Sequence, residues 1–397
     1  MNCLIIGKVW PEPTSTAAGQ RTYDVITALQ LGCWQVHFAS AAQRGEHALD
    51  LEAIGVTTHE IAVNDAAFDP WVEALAPQVV IFDRFMTEEQ YGWRVAQRCP
   101  EAVRVLDTSD LHCLRLAREQ VIKSGEALKL KNDIALREIA AIYRSDLTLM
   151  ISEFEMEILV DGFGINESLL AYWPFSLELS QECVLYENRK DFILIGSFLH
   201  PPNLDAVRWC KAEIWPLIRQ QLPEAELHCY GSYGDRFAAE LHAPKNGFYF
   251  KGRAEDALAT MTLYRVNLAP LRYGAGLKGK VFDGFQTGTP TVMTPIAAEG
   301  ISTNFGWAHT VAEDFANAAL QLYREPEAWR IRQCEERALC QDRFNSADWL
   351  PRLAAIMQCV IGEKVQLREQ NFIGKILRHH QHRSTEFMSR WIELKNK

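Results

Sequence analysis

Short apolar runs alternate along this chain with longer stretches in which apolar residues recur every three or four positions. The short runs predict buried strands and the longer stretches predict helices, an alternation typical of a parallel sheet covered by helices. The alternation occurs twice. The first set predicts strands over Cys3–Ile6, Gln35–Ala39, Thr57–Ile61, Val79–Phe82, Val103–Leu106 and Leu147–Ile151, and helices over Arg21–Leu31 and Glu88–Arg98. The second set predicts strands over Phe192–Ile195, Glu226–Tyr230, Phe248–Phe250, Val266–Ala269 and Thr291–Met293, and helices over Leu204–Arg219 and Val281–Gln286.

Two such sets predict an α/β protein of two Rossmann-like domains that face a central cleft. The pattern breaks at Tyr172–Phe175 and at the polar residues that follow, which we interpret as the linker. The N-terminal domain is therefore predicted in residues 1–175 and the C-terminal domain in residues 176–345. Residues 346–397 form a third segment, which continues the helical spacing that begins at Glu313.

Composition agrees with two folded domains. A chain of 397 residues is too long for one compact core, and its 48% hydrophobic and 23% charged content argues against disorder. The net charge of −10 gives no whole-chain reason to expect nucleic-acid binding. The ten cysteines form neither CxxC pairs nor a zinc or disulfide spacing, so we expect mostly buried thiols in a reducing cytoplasm.

The end of the chain differs in charge from the rest. No apolar run reaches the roughly 20 residues that span a bilayer, and the N-terminus enters a strand rather than a cleavable signal, so we expect a cytoplasmic protein. From Lys364 onward, however, eight lysines and arginines stand against three acidic residues, a net charge of +5. Two interpretations stay open: a helix across the domain junction with a solvated basic face, or a helix that binds anionic lipid at the inner membrane face or nucleic acid.

The stretch Pro270–Pro295, PLRYGAGLKGKVFDGFQTGTPTVMTP, carries the strongest chemical signal. A loop with Gly274 and Gly276 enters a short helix whose first N–H groups lack internal partners, which suits a phosphate group. Lys278 and Lys280 add positive charge there, and Asp283 follows one turn later, where a carboxylate suits ribose hydroxyls. The alternative is a surface helix with a Lys280–Asp283 ion pair.

Two segments of the N-terminal domain follow predicted strands at the edge where open α/β sheets bind ligands. The first contains Gly19 in a turn of small residues before a helix, and it lacks the GxGxxG fingerprint, which argues against an NAD-dependent enzyme. The second, Val105–His112, places polar side chains near the predicted cleft. These are Asp107, Asp110 and His112, with Arg115 one turn further on.

An ordered series of motifs resembles the family 4, or group 1, glycosyltransferases of the two-domain GT-B type. The series comprises Gly196–Asn203, Pro223–Leu227, Gly247–Gly252 and Pro270–Pro295, and with Gly19 and Leu106–His112 it covers most of residues 1–345. The resemblance implies retaining transfer of a hexose or related sugar from a nucleotide-sugar donor. The C-terminal domain would hold the nucleotide, the N-terminal domain would present the acceptor, and a terminal helix would cross back to the N-terminal domain. It implies neither a metal nor a cofactor, because basic groups and a helix end neutralise the diphosphate.

The resemblance assigns roles residue by residue. Asp283 takes the place of the second glutamate of the family's paired motif, whereas the first glutamate falls on Ala275, which has no carboxylate. His112 matches the family's active-site histidine. The donor-binding set is Gly19, Ser197, Asn203, Arg272, Gly274, Gly276, Lys278, Lys280 and Asp283, the catalytic set is His112 and Asp110, and the acceptor side is Arg21, Asp107 and Arg115.

The predicted function is therefore glycosyl transfer to an acceptor hydroxyl, in cell-envelope polysaccharide or glycoconjugate synthesis. The missing glutamate leaves open an inactive GT-B protein that only binds a nucleotide sugar. A nucleotide-sugar 2-epimerase is a further alternative. The acceptor is a saccharide or lipid-linked sugar in the first instance, with protein and RNA acceptors still open.

Overall fold

The structure, a computed structural model, describes residues 1–179, 184–301 and 308–395. It contains two parallel sheets. The first has the order β3-β2-β1-β4-β5-β6-β7 and consists of β1 Asn2–Gly7, β2 Gln35–Ser40, β3 Thr57–Glu60, β4 Val79–Asp83, β5 Val103–Asp107, β6 Leu147–Met150 and β7 Leu170–Tyr172. The second has the order β10-β9-β8-β11-β12 and consists of β8 Lys190–Ile195, β9 Leu227–Tyr230, β10 Phe248–Gly252, β11 Tyr264–Ala269 and β12 Thr291–Met293. Two Rossmann-like sheets are thus confirmed.

Helices cover both sheets. Those of the first half are α1 Ala17–Leu31, α2 Phe68–Leu75, α3 Arg84–Arg98, α4 His112–Ser124, α5 Asp133–Arg144 and α6 Glu153–Glu157. Those that follow are α7 Pro201–Trp209, α8 Trp215–Gln221, α9 Ala238–Leu241, α10 Ala257–Met261, α11 Gly279–Thr287, α12 Pro295–Ala298, α13 Ala312–Arg324 and α14 Pro326–Arg343. The chain ends in two long helices, α15 Ser346–Gln370 and α16 Phe372–Lys395.

Several elements differ from the sequence prediction. Helix α1 begins four residues earlier than expected because Thr16 caps it, its Oγ1 accepting from Gly19 N at 3.0 Å. Helix α3 likewise begins at Arg84, directly after β4. Tyr172, predicted in the linker, instead ends strand β7 beside Met150. The adjacent Trp173 is fully buried, so this segment belongs to the first domain's core.

The strands are buried because their apolar side chains alternate between two cores. In β1, Leu4 and Ile6 join the core on one face of the first sheet, while Cys3 and Ile5 join the core on the other. In β8, Phe192 and Leu194 likewise join the core on one face of the second sheet. Of the cysteines in the described chain, Cys3, Cys113, Cys210, Cys229 and Cys340 are buried, Cys99 is half-buried, and Cys33, Cys334 and Cys359 are exposed.

In each sheet there is one strand at which the strand order reverses, and the position of this strand determines where a ligand can bind. Strand β1 has β2 on one side and β4 on the other, and β8 likewise lies between β9 and β11. Connections leave such a strand in opposite directions, which opens a crevice beyond its carboxyl end. The loops after β1 and β8 are therefore expected to line a binding site.

The C-terminal helices return to the first domain. Helix α15 packs on α1, and its Leu353 and Met357 are fully buried in the first domain's core. Helix α16 then packs on α3 and α5. None of the helices in the described part of the chain is both long and apolar enough to cross a bilayer.

An ion pair between Arg368 and the buried carboxylate of Asp146 attaches the end of α15 to the first domain. Asp146 is 2% exposed, and Arg368 reaches both of its carboxylate oxygens, at 2.8 and 2.7 Å. Arg368 also donates to the carbonyl oxygens of Pro100 and Ala102, both at 2.7 Å. One guanidinium thus joins the helix to two loops at the amino end of the first sheet.

We expect Arg368→Ala to lower the free energy of unfolding by about 2 kcal/mol, because it leaves a buried carboxylate and two carbonyls with fewer donors. Urea denaturation measures the change. Lys364→Ala is the matched control on the same helix, since Lys364 pairs with the exposed Glu101, and it should leave stability nearly unchanged. Equal effects of the two substitutions would contradict this account.

Candidate active site

A cleft of about 1440 Å³ lies between the two domains, beyond the carboxyl ends of both sheets. Its walls come from the loops that the sheet topology predicts. From the first domain they include residues 8–24, 83–84, 109–110 and 112, and from the second 195–197, 199–203, 231–233, 254–258 and 277–280. The site is therefore assembled from both domains.

The glycine-rich loop before α11 touches the first domain. Gly276 has a φ of +64°, a left-handed conformation that glycine adopts without strain. A Cβ at this position would also lie 2.9 Å from the Cβ of Asp110. Gly276 is thus required for the turn and for the approach of the two domains. It does not line the cleft, because its N–H donates to Glu155 Oε1 at 2.6 Å.

Lys278 and Lys280 lie at the start of α11 and line the cleft, although their side chains are mostly buried. Lys278 Nζ donates to Gly276 O, and Lys280 Nζ donates to Asn203 Oδ1 at 2.6 Å. Within the described residues, neither ammonium group is within ion-pairing distance of a carboxylate, so the alternative of a Lys280–Asp283 ion pair is not formed. Burial lowers the pKa of each to about 8, and both remain protonated at neutral pH.

The loop after β8 is shaped around Lys280. A Cβ at Gly196 would lie 2.9 Å from Lys280 Nζ and 2.8 Å from Asn203 Nδ2, so only glycine leaves room for both groups. Asn203 Nδ2 donates to Ser197 O at 2.8 Å, which holds its Oδ1 toward the lysine. Ser197 Oγ is buried and has no hydrogen-bond partner in the described structure. This hydroxyl at the cleft wall is available to a ligand.

Asp283 lines the cleft one turn after Lys280. Burial raises the pKa of its carboxyl to about 7, and the nearby Lys280 opposes that rise. Ala275 lines the same wall with no polar side chain. This wall of the second domain therefore offers the ammonium groups of Lys278 and Lys280, the Asp283 carboxyl and the Ser197 hydroxyl to a ligand, and Glu255 and Asp256 line the cleft as well.

The first domain contributes Asp110, His112 and Arg115. Burial would raise the pKa of Asp110, but Arg115 and then His112 outweigh it and hold the pKa well below its usual range. His112 Nε2 lies 3.3 Å from Asp110 Oδ1. Burial lowers the pKa of His112 despite this neighbour, so the imidazole is neutral at pH 7.

His200 of the second domain also lines this part of the cleft, and sequence reasoning did not assign it a role. Burial, then Arg115, lower its pKa to about 3. Both histidines are therefore uncharged, and each can offer a neutral hydrogen bond to a sugar. His200 lies in the loop after a buried strand, the same signal that identified His112.

The start of α4 is closed to an anionic ligand. Its first amides, His112 N and Cys113 N, donate to the two carboxylate oxygens of Glu138 at 2.8 and 2.7 Å. The start of the helix that carries His112 therefore has no free first amides for a phosphate group.

Four predicted site residues lie outside the cleft or turn away from it, namely Gly276, described above, and Arg21, Asp107 and Arg272. Arg21 reaches the cleft wall, but its guanidinium points inward and pairs with Asp107 at 2.8 Å and with Trp173 O at 2.7 Å. Asp107 does not line the cleft, and both members of this pair are buried. Arg272 also does not line it, because it pairs with Asp205 through two hydrogen bonds. Gly19, Gly274 and Asn203 do line the cleft.

Arg118 bridges the domains at one rim of the cleft, which the sequence did not reveal. It donates to Gly274 O at 2.8 Å and to both oxygens of Glu299 at 2.7 and 2.6 Å. Arg118 and Glu299 are 181 residues apart, and no local pattern links them. At another rim, Tyr233 OH donates to Glu12 at 2.9 Å.

Two non-glycine residues of the first domain that have a left-handed backbone also line the cleft. Arg84 has a φ of +70° and Ser109 a φ of +58°. They follow the neighbouring strands β4 and β5, whose last residues, Asp83 and Asp107, are paired in register. Such conformations cost free energy and cluster at functional sites, which makes this corner of the first domain a candidate acceptor surface.

Glu155 makes a further contact between the domains that the sequence did not predict. One of its oxygens accepts from Leu111 N at 3.2 Å and from Gly276 N at 2.6 Å. Its other oxygen is buried without a hydrogen-bond partner in the described structure. Burial, then the charge of Asp110, raise the pKa of Glu155 to about 7. Glu155 closely follows β6, and its position after a buried strand is the sequence feature that could have indicated a residue near the cleft.

We expect Glu155→Gln to reduce the pH dependence of stability. The folded-state pKa lies above the ordinary 4.5, so the folded protein keeps a proton that the unfolded chain releases. The resulting stability is present at low pH and is lost as pH rises from about 4.5 through 7. Between pH 5 and pH 8 the wild type should therefore lose about 1–3 kcal/mol more than the glutamine variant, which still accepts both amides. Denaturation at the two pH values measures this, and identical pH profiles would contradict it.

Comparison with known proteins shows which families this chain is similar to. Residues 189–325 match the family described as glycosyl transferases group 1. An uncharacterized 44.6 kDa protein in the cps region of Klebsiella pneumoniae is 23% identical over 178 residues, which are 43% of this chain and 44% of that protein. The chain is thus aligned with less than half the length of this curated relative.

Solved structures extend the likeness to the whole fold. HepE of Anabaena, in complex with UDP and glucose, has a TM-score of 0.69 at 12% identity, and the match covers 90% of this chain and 100% of that one. WaaG, a glycosyltransferase involved in lipopolysaccharide biosynthesis, has a TM-score of 0.62 at 12% identity, with 90% and 99% covered. The resemblance predicted from the sequence is confirmed: the chain has the GT-B fold of the group 1 glycosyltransferases, and its second domain carries their family match.

Proposed function

We propose that this protein is a glycosyltransferase that moves a sugar from a UDP-sugar donor to a saccharide acceptor. The observation that carries the proposal is the pair of buried ammonium groups, Lys278 and Lys280, at the start of α11. They line a cleft and have no carboxylate partner in the described structure. Two buried cations at a helix N-terminus favour a ligand with two negative charges, which a nucleoside diphosphate supplies.

The donor is proposed to lie along the second domain. Its diphosphate would contact the two ammonium groups and the first amides of α11, and Asp283 would accept hydrogen bonds from the ribose. Ser197 Oγ, which is unpartnered at the cleft wall, would donate to a phosphate oxygen. UDP is proposed as the nucleotide because HepE binds UDP and glucose within the same fold.

Catalysis would rest on charge that develops as the donor splits. The bond between the sugar's anomeric carbon and the diphosphate oxygen breaks, and the fixed cations stabilise the negative charge that passes to UDP. The acceptor hydroxyl attacks the anomeric carbon from the face that UDP leaves, and its proton passes to the departing phosphate oxygen. The new bond forms on the same face, so configuration is retained without a protein nucleophile.

The first domain would position the transferred sugar and the acceptor. His112 is neutral and is held by the ionised Asp110, which fits a hydrogen bond to a sugar hydroxyl. The strained corner at Arg84 and Ser109 would receive the acceptor. We propose an acceptor in cell-envelope polysaccharide or glycoconjugate synthesis, as the cps-region relative and WaaG suggest.

A binding protein without turnover is the second candidate, and Ala275 is the observation that favours it. This residue lines the cleft where the family places a glutamate, so no carboxylate from that position can contact the transferred sugar. A 2-epimerase is a third candidate, and it would act on the nucleotide sugar without any acceptor.

Lys280→Ala should weaken UDP binding by about tenfold to a hundredfold, since a hydrogen bond to a charged group contributes roughly 1.5–3 kcal/mol. Thermal unfolding with UDP and UDP-glucose, against GDP, ADP and CMP, measures binding through ligand-induced stabilisation. Arg272→Ala is the matched control, because Arg272 pairs with Asp205 away from the cleft, and it should keep the wild-type response. Unchanged stabilisation of Lys280→Ala would remove this lysine from the donor site.

The product is expected to keep the donor's anomeric configuration. NMR coupling constants of the product made from an α-linked UDP-sugar, with a panel of saccharide acceptors, test this. A β-linked product would overturn the proposed attack geometry. UDP binding without transfer or hydrolysis would favour the binding protein, and a changed sugar in the absence of acceptor would favour the epimerase.

A further inference from the structure

Helix α16 packs with its polar side inward. Ser389 is 3% exposed and accepts from Arg94 at 3.1 Å, and Glu393 pairs with the same guanidinium. Glu386 accepts from Gln97 of α3 at 2.8 Å. Nearer its start, Arg378 donates to Arg144 O at 3.2 Å. These contacts fix the rotation of the helix on α3 and α5.

The opposite side of α16 is apolar and faces outward. Phe387 and Trp391 are 68% and 58% exposed, and Met388 and Leu394 beside them are also exposed. Phe372, Ile373 and Ile376 form a second exposed group at the start of the helix. An amphipathic helix normally turns this side toward a core, so the reversed orientation leaves a surface suited to an apolar environment outside the protein.

The basic side chains of α16 are exposed beside this apolar face, whereas its acidic side chains are paired. The exposed cationic and imidazole side chains of the helix are Lys375, His379, His380, Arg383, Arg390 and Lys395. In contrast, both acidic residues of α16 are engaged: Glu386 pairs with Arg390 at 2.7 Å and with Gln97, and Glu393 pairs with Arg94. The helix therefore presents positive charge from a chain whose net charge is −10.

We infer that α16 is a docking surface for an anionic phospholipid bilayer, with Phe387, Trp391 and Leu394 in the interface and the basic side chains on the headgroups. Aromatic and leucine side chains beside lysine and arginine are the combination by which helices lie in a membrane interface. The polar contacts to α3 and α5 hold the helix on the protein while its apolar side is covered by lipid.

Charge favours lipid over a second copy of the chain. A symmetric contact through this face would bring Arg383, Arg390 and their neighbours against the same basic residues of the other copy. An anionic headgroup layer would instead attract each of them by about 1 kcal/mol near the surface.

The test is co-sedimentation of the full-length protein with vesicles of phosphatidylcholine alone and of phosphatidylcholine mixed with phosphatidylglycerol. No sugar nucleotide is present, so the result is independent of the proposed transferase activity. The wild type should bind the mixed vesicles, bind the neutral ones several-fold more weakly, and dissociate as salt is raised.

Two variants separate the apolar and electrostatic contributions. Phe387→Ser with Trp391→Ser removes exposed side chains, so the fold should persist, and binding should fall by at least about tenfold. Lys375→Gln with Arg383→Gln should weaken binding to the mixed vesicles by roughly fivefold per residue while leaving neutral vesicles unaffected. Leu31→Ser with Leu263→Ser is the matched control, since both leucines are similarly exposed outside α16, and it should bind as the wild type does.

Three results would overturn the inference. They are no binding of the wild type to mixed vesicles, equal binding to both kinds of vesicle, and unchanged binding of the Phe387 and Trp391 double variant. Light scattering provides a further check. A wild-type dimer that this double variant converts to a monomer would assign the face to a second copy of the chain instead.

Discussion

The arrangement of the cleft depends on two ammonium groups that are buried at the start of α11. Lys278 and Lys280 are each less than a tenth exposed and find only neutral oxygen atoms in the described structure. Glu299 and Glu155 act on Lys278 and Asp283 acts on Lys280, but none of these carboxylates forms an ion pair with either lysine, so a ligand that brings negative charge would stabilise both ammonium groups. Gly196 leaves space for one ammonium group, and Asn203 orients it. The absence of a direct ion pair at these two lysines is the feature on which the proposed donor site depends.

The same loop also joins the two domains. Gly276 touches Asp110 and donates to Glu155, while Gly274 O accepts from Arg118 of the first domain. Asp110 in turn lies beside His112. A ligand that rearranged the glycine-rich loop would thus act on the first domain's candidate catalytic pair. This explains why Gly276 matters although it does not line the cleft.

The sequence was sufficient for eleven of the twelve strands in the described chain, because parallel strands are buried on both faces and stand out as apolar runs, but it missed the short strand β7. It also located the lysines, since their spacing from the glycines is local. It could not distinguish a cleft arginine from a structural one: Arg21 and Arg272 are paired with Asp107 and Asp205, 86 and 67 residues away. The contact between Arg118 and Glu299 could not be predicted for the same reason. Buried ion pairs between distant residues depend on tertiary packing, which periodicity does not record.

The pairing of buried charge also explains the orientation of the last helix. Arg94 is 2% exposed and needs acceptors, which Asp69 supplies from α2 and Ser389 and Glu393 supply from α16. A turn of α16 that buried Phe387 and Trp391 would withdraw those acceptors from a guanidinium that cannot deprotonate. Arg94 would keep Asp69 as an acceptor, but its other terminal nitrogen would be buried without a partner, which opposes such a rotation. The first domain's own electrostatics therefore hold the apolar side of α16 outward, where an external apolar phase can cover it.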